Sequence, residues 1–525
     1  MSISVRMNCY FTAATAAFWA VAASAQAAAV TNTPQSIADL QAQIEAHITS
    51  PRFARAIWGI KIVSLESGTI LYKHRSDRLM SPASNSKLFV GALALERFGG
   101  DYCIKTPIMA TTRPDKRGTI KGNLFISGRG DPSWKPSSGE TNFWRIFDPF
   151  VNAITNAGVR KVTGDLVADA THFVGPPQGG SWTVDDLEDS KGAEISAITL
   201  LANCAELRVT SATDAGRACQ LEFQQPHTGL TLVNHTTTTT NGGEAQVVMR
   251  RVFGENTLHF FGTLPPGTNV VLNVPVPRPA LWFGHALKEA LTRHGVRIEG
   301  EVRMARWPEP SPIPTNCIPL AEVSSPPVRE LVKAFMNPSQ NLETDLIFAH
   351  VGEATRTAET PAWRTSEQLA VAALEAFSLT NNLPAGELFF DEGSGLSRNN
   401  VTTANAILGL LERMTSHPAA EDFLNSLPVA GVDGTLRNRM KGTLAEGNVK
   451  AKTGTLRWVN ALSGYVTTAA NERLAFSLLL NRNVSVNDRS GRDDLDTIAV
   501  MLANLAARSD TSISADPAGE ENKGN

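Results

Sequence analysis

The sequence has little cysteine, no excess of charge of one sign, and no long apolar run after its first 30 residues. Only five of the 525 residues are cysteine. No Cys-x-x-Cys or His-Glu-x-x-His pattern occurs, so we expect no metal or other cofactor. The 48 basic and 51 acidic residues give a net charge of −3, which argues against a nucleic-acid partner. The missing apolar run excludes a transmembrane anchor beyond that point. What remains, 42% hydrophobic and 19% charged, is a globular composition for two or three domains.

The first 27 residues have the pattern of an export signal. Arg6 supplies the positive end, residues 10–23 are apolar and rich in alanine, and Ala25 and Ala27 each close a small-x-small cleavage pattern. The alternative is a cytosolic N-terminal helix. We expect residues 1–27 to be a signal peptide and the mature protein to be periplasmic.

Export into an oxidising compartment makes the remaining cysteines candidates for disulfide bonds. Four of them follow the signal: Cys103, Cys204, Cys219 and Cys317. Four cysteines allow three sets of pairs. Cys204 and Cys219 flank a predicted hairpin, so a bond between these two is the pairing that we favour.

The order of predicted elements indicates one domain assembled from both ends of the chain. A helix capped by Ser36 and a β-hairpin at residues 58–72 open the chain, and three strands and a helix between residues 448 and 505 close it. The simplest assembly is an α+β domain with one five-stranded antiparallel sheet flanked by helices. It comprises residues 28–98 and 318–508, and residues 509–525 form a disordered tail.

Residues 99–317 are predicted to be a large, mainly β insertion into this domain, with two subdomains. Short strands are predicted at 123–127, 161–168, 206–210 and 268–274, and one helix at 279–294. Five consecutive threonines, Thr236 to Thr240, are predicted as an exposed loop. Alternating prolines at 308, 310, 312 and 314 predict an extended, stiff segment that crosses back to the outer domain.

A serine and a lysine lie three positions apart at the start of a predicted helix. Ser84 and Lys87 form the only Ser-x-x-Lys in the chain, and residues i and i+3 share a helix face. A serine becomes a nucleophile when a base takes its proton, and a desolvated lysine can be that base. Taken alone, a capped helix start with a solvated lysine explains the same four residues.

Two further motifs follow in the expected places. Lys452-Thr453-Gly454 is the only Lys-[Ser/Thr]-Gly and ends a predicted strand, where a glycine lets a ligand approach the backbone closely. Ser-x-Asn occurs three times, beginning at Ser339, Ser397 and Ser485. We select Ser339-Gln340-Asn341 because it lies between two predicted helices and directly follows the insertion. The other two are interpreted as loop or turn chemistry.

Together these motifs resemble the signature of the penicillin-recognising serine acyl-transferases. The gap of 255 residues (339 − 84) between the first two motifs is similar to that of the class C low-molecular-mass penicillin-binding proteins. That group, the D-alanyl-D-alanine carboxypeptidase/endopeptidase family, carries extra domains at this point. Further matching motifs lie at residues 82–84, 128–132, 164–166, 393–398 and 427–436, and the resemblance covers residues 35–508. One departure is an extra acid in Asp391-Glu392-Gly393.

The resemblance implies a serine-type D-Ala-D-Ala peptidase that acts on peptidoglycan stem peptides through an acyl-enzyme. Ser84 would attack the peptide carbonyl, and Lys87 would act as the general base, with a pKa lowered in part by the charge of Lys452. Ser339 would relay the proton to the leaving D-alanine. Asn341 would hydrogen-bond the substrate amide and orient Lys87.

The Lys-Thr-Gly strand would bind the other end of the substrate. By resemblance, Thr453 and Thr455 hold the terminal carboxylate with Lys452, beside Gly454. The backbone N–H groups of Ser84 and Thr455 would form the oxyanion hole. β-Lactam antibiotics resemble the substrate and would be inhibitors that are trapped on Ser84.

Three residues outside the motifs are implied to contact the stem peptide. Asp169 and Phe173 would reach the cleft from the insertion, and Arg398 would border it. Asp169 is equally explained as a turn residue at a strand end. Arg457 and Trp458 depart from the family pattern, since some relatives have glutamine at the first position and a smaller residue at the second.

Two other functions share parts of this pattern. A β-lactamase carries the same three motifs but needs efficient deacylation and normally lacks so large an insertion. A non-catalytic wall-binding protein could retain the fold, but the intact motifs argue against it. The balance between carboxypeptidase and endopeptidase activity and the oligomeric state stay open at this stage.

Overall fold

The computed structural model of this protein describes residues 33–136, 139–252, 254–484 and 490–510. The predicted signal peptide, the Ser-x-Asn pattern at Ser485, and residues 511–525 of the predicted tail lie outside the described residues. Within the described part of the chain, no helix is both long and apolar enough to cross a membrane.

The helices and strands alternate irregularly along the chain. The helices are α1 (Ile37–Ile48), α2 (Ser86–Phe98), α3 (Asp148–Asn156), α4 (Pro279–Arg293), α5 (Val328–Met336), α6 (Asn341–Glu353), α7 (Ser366–Thr380), α8 (Ala404–Thr415), α9 (Ala420–Ser426) and α10 (Gly491–Asn504). The strands are β1 (Ile57–Ser64), β2 (Ile70–His74), β3 (Cys103–Ala110), β4 (Thr119–Ile120), β5 (Leu124–Ser127), β6 (Lys161–Val162), β7 (Leu166–Asp169), β8 (Cys204–Thr210), β9 (Gln220–Phe223), β10 (Thr231–Thr238), β11 (Gln246–Arg251), β12 (Thr257–Leu264), β13 (Asn269–Pro275), β14 (Arg297–Ile298), β15 (Val302–Ala305), β16 (Ile318–Pro327), β17 (Leu388–Phe389), β18 (Val401–Thr402), β19 (Lys450–Leu456), β20 (Val459–Thr467) and β21 (Arg473–Asn481).

The central sheet of the outer domain is built from both ends of the chain. Its strand order is β19-β20-β21-β1-β2, and every neighbouring pair is antiparallel. The N-terminal hairpin joins the C-terminal strands where β1 pairs with β21, with Ile60 opposite Leu478. The predicted five-stranded antiparallel sheet is therefore confirmed. Strand β19, which carries the Lys-Thr-Gly motif, is an edge strand.

Helices cover both faces of this sheet. On one face, α1 and α10 share a core with the sheet through residues such as Ile44 and Leu502. The side chain of Ser36 accepts a hydrogen bond from the Asp39 N–H, which caps α1 as predicted. On the other face, α2 and α8 pack on Val63, Ala461 and neighbouring sheet residues. The buried face of α2 thus brings the Ser84 region against the sheet.

The insertion begins with a five-stranded mixed sheet of order β15-β7-β5-β3-β16, to which α4 packs closely. Strand β16 (Ile318–Pro327) belongs to this sheet, because it pairs with β3 along most of its length. Our predicted boundary at residue 317 therefore falls before a strand of the insertion. We place the return to the outer domain after Pro327, where α5 begins.

A second, smaller core lies within the insertion. Two three-stranded sheets, β13-β8-β9 and β10-β12-β11, enclose residues such as Leu207 and Phe260. The prediction of an exposed threonine loop is wrong here, because β10 includes Thr236 and Thr238, and both are buried. Threonine is β-branched and favours strands, and β10 pairs in parallel with β12 over eight residues.

The favoured disulfide between Cys204 and Cys219 is also wrong. All four described cysteines are free. The hairpin that Cys204 and Cys219 flank does exist, since β8 and β9 pair with Thr210 opposite Gln220. However, Cys204 begins β8, six residues before Thr210, whereas Cys219 directly precedes Gln220. At about 3.3 Å per residue, the two thiols lie at opposite ends of the hairpin.

Candidate active site

Ser84 lies in a short 3-10 turn, Ala83–Asn85, that leads directly into α2. The turn is tied to the central sheet on both sides. Asn85 donates from Nδ2 to the Ser463 Oγ at 2.7 Å. Before the turn, the Ser81 N–H donates to Asn481 Oδ1 at 2.9 Å, and the Asn481 Nδ2 donates to the Ser81 carbonyl at 3.0 Å. The sheet therefore fixes the position of Ser84 before any substrate binds.

Two glycines allow neighbouring segments to touch this turn. A Cβ on Gly454 would lie 2.5 Å from the Pro82 carbonyl oxygen, and a Cβ on Gly395 would lie 2.0 Å from the Ala83 carbonyl oxygen. The sequence predicts that the glycine of the Lys-Thr-Gly motif admits a ligand. Instead it admits the turn that carries Ser84, so that β19 and the nucleophile are in direct contact.

Lys87 is fully buried directly below Ser84. Its Nζ donates to three oxygens: Ser84 Oγ at 3.0 Å, Asn341 Oδ1 at 2.8 Å and the Ser394 carbonyl at 2.5 Å. The structure thus brings together the first two motifs, which are more than 250 residues apart in the chain. It excludes the solvated lysine that the Ser-x-x-Lys pattern alone allowed.

Burial dominates the proton affinity of both lysines. Desolvation lowers the pKa of Lys87 to about 8, although the carboxylates of Asp345 and Glu392 act in the opposite direction. The pKa of Lys452, which is also fully buried, is lowered well below its ordinary value by burial and then by the charge of Lys87. The repulsion between the two lysines, which we expected to act on Lys87, therefore favours a neutral Lys452.

The Ser-x-Asn motif forms another wall of the cleft beside Ser84. Ser339 lines the cleft from the loop before α6, in a left-handed backbone conformation with φ of 67°. Asn341 is the first residue of α6, and its Nδ2 donates to the Lys191 carbonyl of the insertion at 3.3 Å. On the outer side, Asn337 donates from Nδ2 to Asp433 Oδ1 at 3.0 Å. The motif is thus held between the insertion and the 433–436 turn.

Successive residues of the Lys-Thr-Gly motif face opposite sides of the edge strand β19. Lys452 is buried and Gly454 faces the Ser84 turn, whereas Thr453 and Thr455 line the cleft. The Thr453 Oγ1 donates to Thr435 Oγ1 at 2.8 Å, which orients its hydroxyl. All three predicted motifs therefore meet around one cleft.

The cleft is large and extends from Ser84 onto the insertion. Its volume is about 1530 Å³. Besides the motif residues, its walls include Lys135, Lys191 and Arg208 from the insertion. Lys135 pairs with the buried Glu343 of α6, so the insertion is anchored to the helix that carries Asn341.

The structure does not bring the three predicted stem-peptide residues to the cleft walls. Asp169 is buried, and its carboxylate accepts from the Thr171 N–H at 3.0 Å and from Ser311 Oγ at 2.8 Å. Phe173 is buried beside a separate cavity of about 160 Å³. Arg398 is exposed and donates to the Arg457 carbonyl at 3.2 Å, near the β19–β20 turn. The turn interpretation of Asp169 explains its contacts.

Residues that the sequence analysis did not select also surround Lys87. Asp345, Glu392 and Ser394 are all buried. The Asp345 Oδ1 accepts from the N–H groups of Gly393 and Ser394 at 3.1 and 2.8 Å. The extra acid in Asp391-Glu392 was the available signal, but the sequence does not indicate which of the two acids is buried.

A buried lysine hydrogen-bonded to a serine at a cleft, beside the edge strand β19, defines a serine acyl-transferase site of the penicillin-recognising type. Residues 40–505 match the D-Ala-D-Ala carboxypeptidase 3 (S13) family. The chain belongs to this family.

Individual relatives agree with this assignment. The chain is 34% identical over 485 residues to a D-alanyl-D-alanine carboxypeptidase from an Actinomadura species, covering 90% of this chain and 85% of the relative. It is 24% identical to D-alanyl-D-alanine carboxypeptidase DacB from Haemophilus influenzae, covering 80% and 84%. The crystal structure of penicillin-binding protein 4 from Haemophilus influenzae shares the fold, with a TM-score of 0.73 and 22% identity over 88% of this chain and 98% of that one.

Proposed function

We propose that this protein is a serine-type D-Ala-D-Ala peptidase in which Ser84 is the nucleophile and Lys87 the general base. The observation that carries the proposal is the set of three contacts of Lys87 Nζ. The substrate is the D-Ala-D-Ala end of a peptidoglycan stem peptide, and the reaction is acyl transfer to Ser84 followed by hydrolysis.

The geometry of Lys87 suits a base that works in its neutral form. A neutral amine donates two hydrogen bonds and has one lone pair. Asn341 Oδ1 and the Ser394 carbonyl only accept, so they take the two N–H bonds. The lone pair then points at the third neighbour, Ser84 Oγ, and takes the hydroxyl proton as the oxygen attacks. A pKa of about 8 leaves a useful neutral fraction near neutral pH.

The edge position of β19 supports the assignment of the oxyanion hole. An edge strand presents unpaired backbone groups, to which a peptide substrate can add as a further strand. The N–H groups of Ser84 and Thr455 would bind the developing oxyanion, and each such donor is worth about 3–4 kcal/mol. Thr453 and Thr455, whose side chains line the cleft, would hold the terminal carboxylate.

The Ser-x-Asn motif serves the leaving group. Ser339 would pass the proton from Lys87 to the nitrogen of the departing D-alanine. Asn341 orients Lys87 through Oδ1, and one N–H of its amide group is already given to the insertion. The other N–H is the one available to the substrate amide.

The cleft supports a substrate larger than a single dipeptide end. At about 1530 Å³ it exceeds the 300–1,000 Å³ of ordinary small-molecule pockets. Lys191 and Arg208 on the insertion wall suit the carboxylates of a stem peptide. We therefore propose that cross-linked as well as linear stem peptides are cleaved, in the periplasm, and that β-lactams acylate Ser84. A crystal structure of the Haemophilus influenzae protein contains such a β-lactam.

The experiment that tests the function compares wild type with Ser84→Ala on purified muropeptides. Wild type is expected to release D-alanine from pentapeptides and to split cross-linked dimers, and Ser84→Ala to do neither. Cleavage of pentapeptides alone would restrict the activity to a carboxypeptidase. Identical products from both proteins would refute the mechanism.

A β-lactamase and a non-catalytic wall-binding protein are separated by one further measurement. A fluorescent penicillin is expected to label Ser84 and to persist as a covalent adduct. Rapid turnover of a chromogenic β-lactam would favour the β-lactamase. Absence of labelling, together with binding to peptidoglycan, would favour the wall-binding protein.

A further inference from the structure

A fully buried acid, Glu392, lies behind Lys87 and outside the cleft walls. Its carboxylate accepts five hydrogen bonds. Oε1 accepts from the N–H groups of Gly395 at 2.8 Å and Ser397 at 3.3 Å, and from Asn400 Nδ2 at 2.8 Å. Oε2 accepts from the Ser394 N–H at 2.9 Å and from the Ser394 hydroxyl. One side chain therefore fixes the backbone of residues 394–397.

That short segment touches both reacting residues from behind. The Ser394 carbonyl accepts from Lys87 Nζ at 2.5 Å. Gly395 packs so closely on the Ala83 carbonyl that a Cβ there would lie 2.0 Å away. A displacement of this segment would therefore change the direction of the Lys87 amine and disturb the Ser84 turn together.

The charges around Lys87 come from three packed elements. Asp345 faces it from α6, Glu392 from the 392–397 segment and Lys452 from β19. Burial and then the charge of Glu392 also raise the pKa of Glu367 on α7. Asp345 also helps to fix Ser394, because its Oδ1 accepts a hydrogen bond from the same Ser394 N–H as Glu392 does. Burial and then the charge of Glu392 raise the pKa of Asp345 well above its ordinary value. Asp345 and then Glu392 both favour the protonated form of Lys87, so Glu392 is one of two acids that act on its charge.

We propose that Glu392 is a positioning residue for acylation: it fixes the Ser394 carbonyl and thereby aims the lone pair of Lys87 at Ser84. It does not touch the substrate. This inference rests on the proposed role of Lys87 as the general base, and it assigns a function to the second acid of Asp391-Glu392.

The test is the pH dependence of Ser84 acylation by a fluorescent penicillin in wild type, Glu392→Gln and Glu392→Asp. In Glu392→Gln, the new side-chain amide places an N–H group where the N–H donors of residues 394–397 need an acceptor. The substitution also removes the negative charge. We expect the plateau rate to fall about ten- to a hundredfold. The rise of the rate with pH should also move to lower pH, because a lysine with one acid fewer beside it loses its proton more easily.

Glu392→Asp separates geometry from charge. It keeps the charge but withdraws the carboxylate by one carbon, so the plateau should fall while the pH of the rise stays where it is in wild type. If Glu392→Gln does not fold, as judged by circular dichroism and thermal melting, the plateau rate of Glu392→Asp tests the proposal instead. A folded Glu392→Asp that acylates at the wild-type rate would overturn the proposal.

Asp391→Asn is the matched control. It makes the same change in charge one residue earlier, but the Asp391 carboxylate faces Ser181 and Asn399 at 2.7 and 2.9 Å. We expect the wild-type rate and pH profile. A folded Glu392→Gln protein that acylates at the wild-type plateau rate would refute the positioning role, and one that keeps the wild-type pH profile would refute the role of its charge. Failure of wild type itself to become labelled at Ser84 would instead refute the proposed function.

Discussion

Gly454 is the position where the packing of the site can be tested most directly. A Cβ at this residue would lie 2.5 Å from the Pro82 carbonyl oxygen, 3.1 Å from Ala461 Cβ and 3.2 Å from Ala83 Cβ. Ordinary contacts begin near 3.4 Å, so Gly454→Ala requires β19 and the Ser84 turn to separate by about 0.9 Å (3.4 − 2.5). All three neighbours are backbone or Cβ atoms, so none of them can rotate away.

The expected result is a loss of activity that exceeds the loss of stability. Misplacing a reacting group by about 1 Å costs roughly a hundredfold in rate, because Ser84 and the Thr455 N–H must converge on one carbonyl. Overpacking at a single site costs about 1–3 kcal/mol, so the protein should remain folded with a lower melting temperature. The assay is the second-order rate of acylation by a fluorescent penicillin, measured beside a thermal melt.

The control is Gly409→Ala on α8. There the nearest atoms to a Cβ would be the Leu383 Cδ2 at 3.5 Å and the Pro384 Cδ at 3.7 Å, which are ordinary contacts. In a helix, alanine is favoured over glycine by up to about 1 kcal/mol, so this variant should acylate normally and melt no lower than wild type. A Gly454→Ala protein that acylates as fast as Gly409→Ala would refute the account of Gly454.

Two further predictions follow from the site and the cysteines. Because burial lowers the pKa of Lys87 to about 8, the acylation rate should rise roughly tenfold per pH unit below that value and level off above it, since only the neutral amine accepts a proton. Lys87→Arg should abolish acylation at every pH, because arginine stays protonated, and a flat wild-type profile between pH 6 and 9 would contradict the role of Lys87. Because Cys103, Cys204, Cys219 and Cys317 are free, the mature protein denatured without reductant should yield four titratable thiols, and reductant should leave its melting temperature unchanged. Two thiols instead of four would show a disulfide.

The elements of the outer domain could be predicted because their signals are local. Ser36 indicates where α1 begins, and the structure places this cap as expected, with Leu40, Ile44 and Ile48 buried. The three motifs could be located for a different reason. Ser-x-x-Lys and Lys-[Ser/Thr]-Gly each occur once in the chain, and the Ser-x-Asn motif is selected among three by its position after the insertion.

Sequence could not settle the role of residues whose surroundings depend on parts of the chain that lie far away. Asp169 is a suitable acid at a strand end, but its carboxylate binds Ser311, which is 142 residues later. The same limit applies to Glu392, whose five donors are local but whose burial depends on packing against the Ser84 turn. Sequence shows that an acid is present, and only the tertiary structure shows whether it faces water, substrate or a buried lysine.

The insertion has a second effect besides shaping the cleft. The Lys191 carbonyl accepts from Asn341, and Lys135 pairs with Glu343, so two points of the insertion hold the first turn of α6. The same turn orients Lys87 through the Asn341 Oδ1. A stem peptide that binds to the insertion wall near Lys191, as we propose, would therefore act on a residue that contacts the base. We therefore expect recognition of the stem and activation of Ser84 to be coupled through Asn341, and truncated substrates to lose acylation rate as well as affinity.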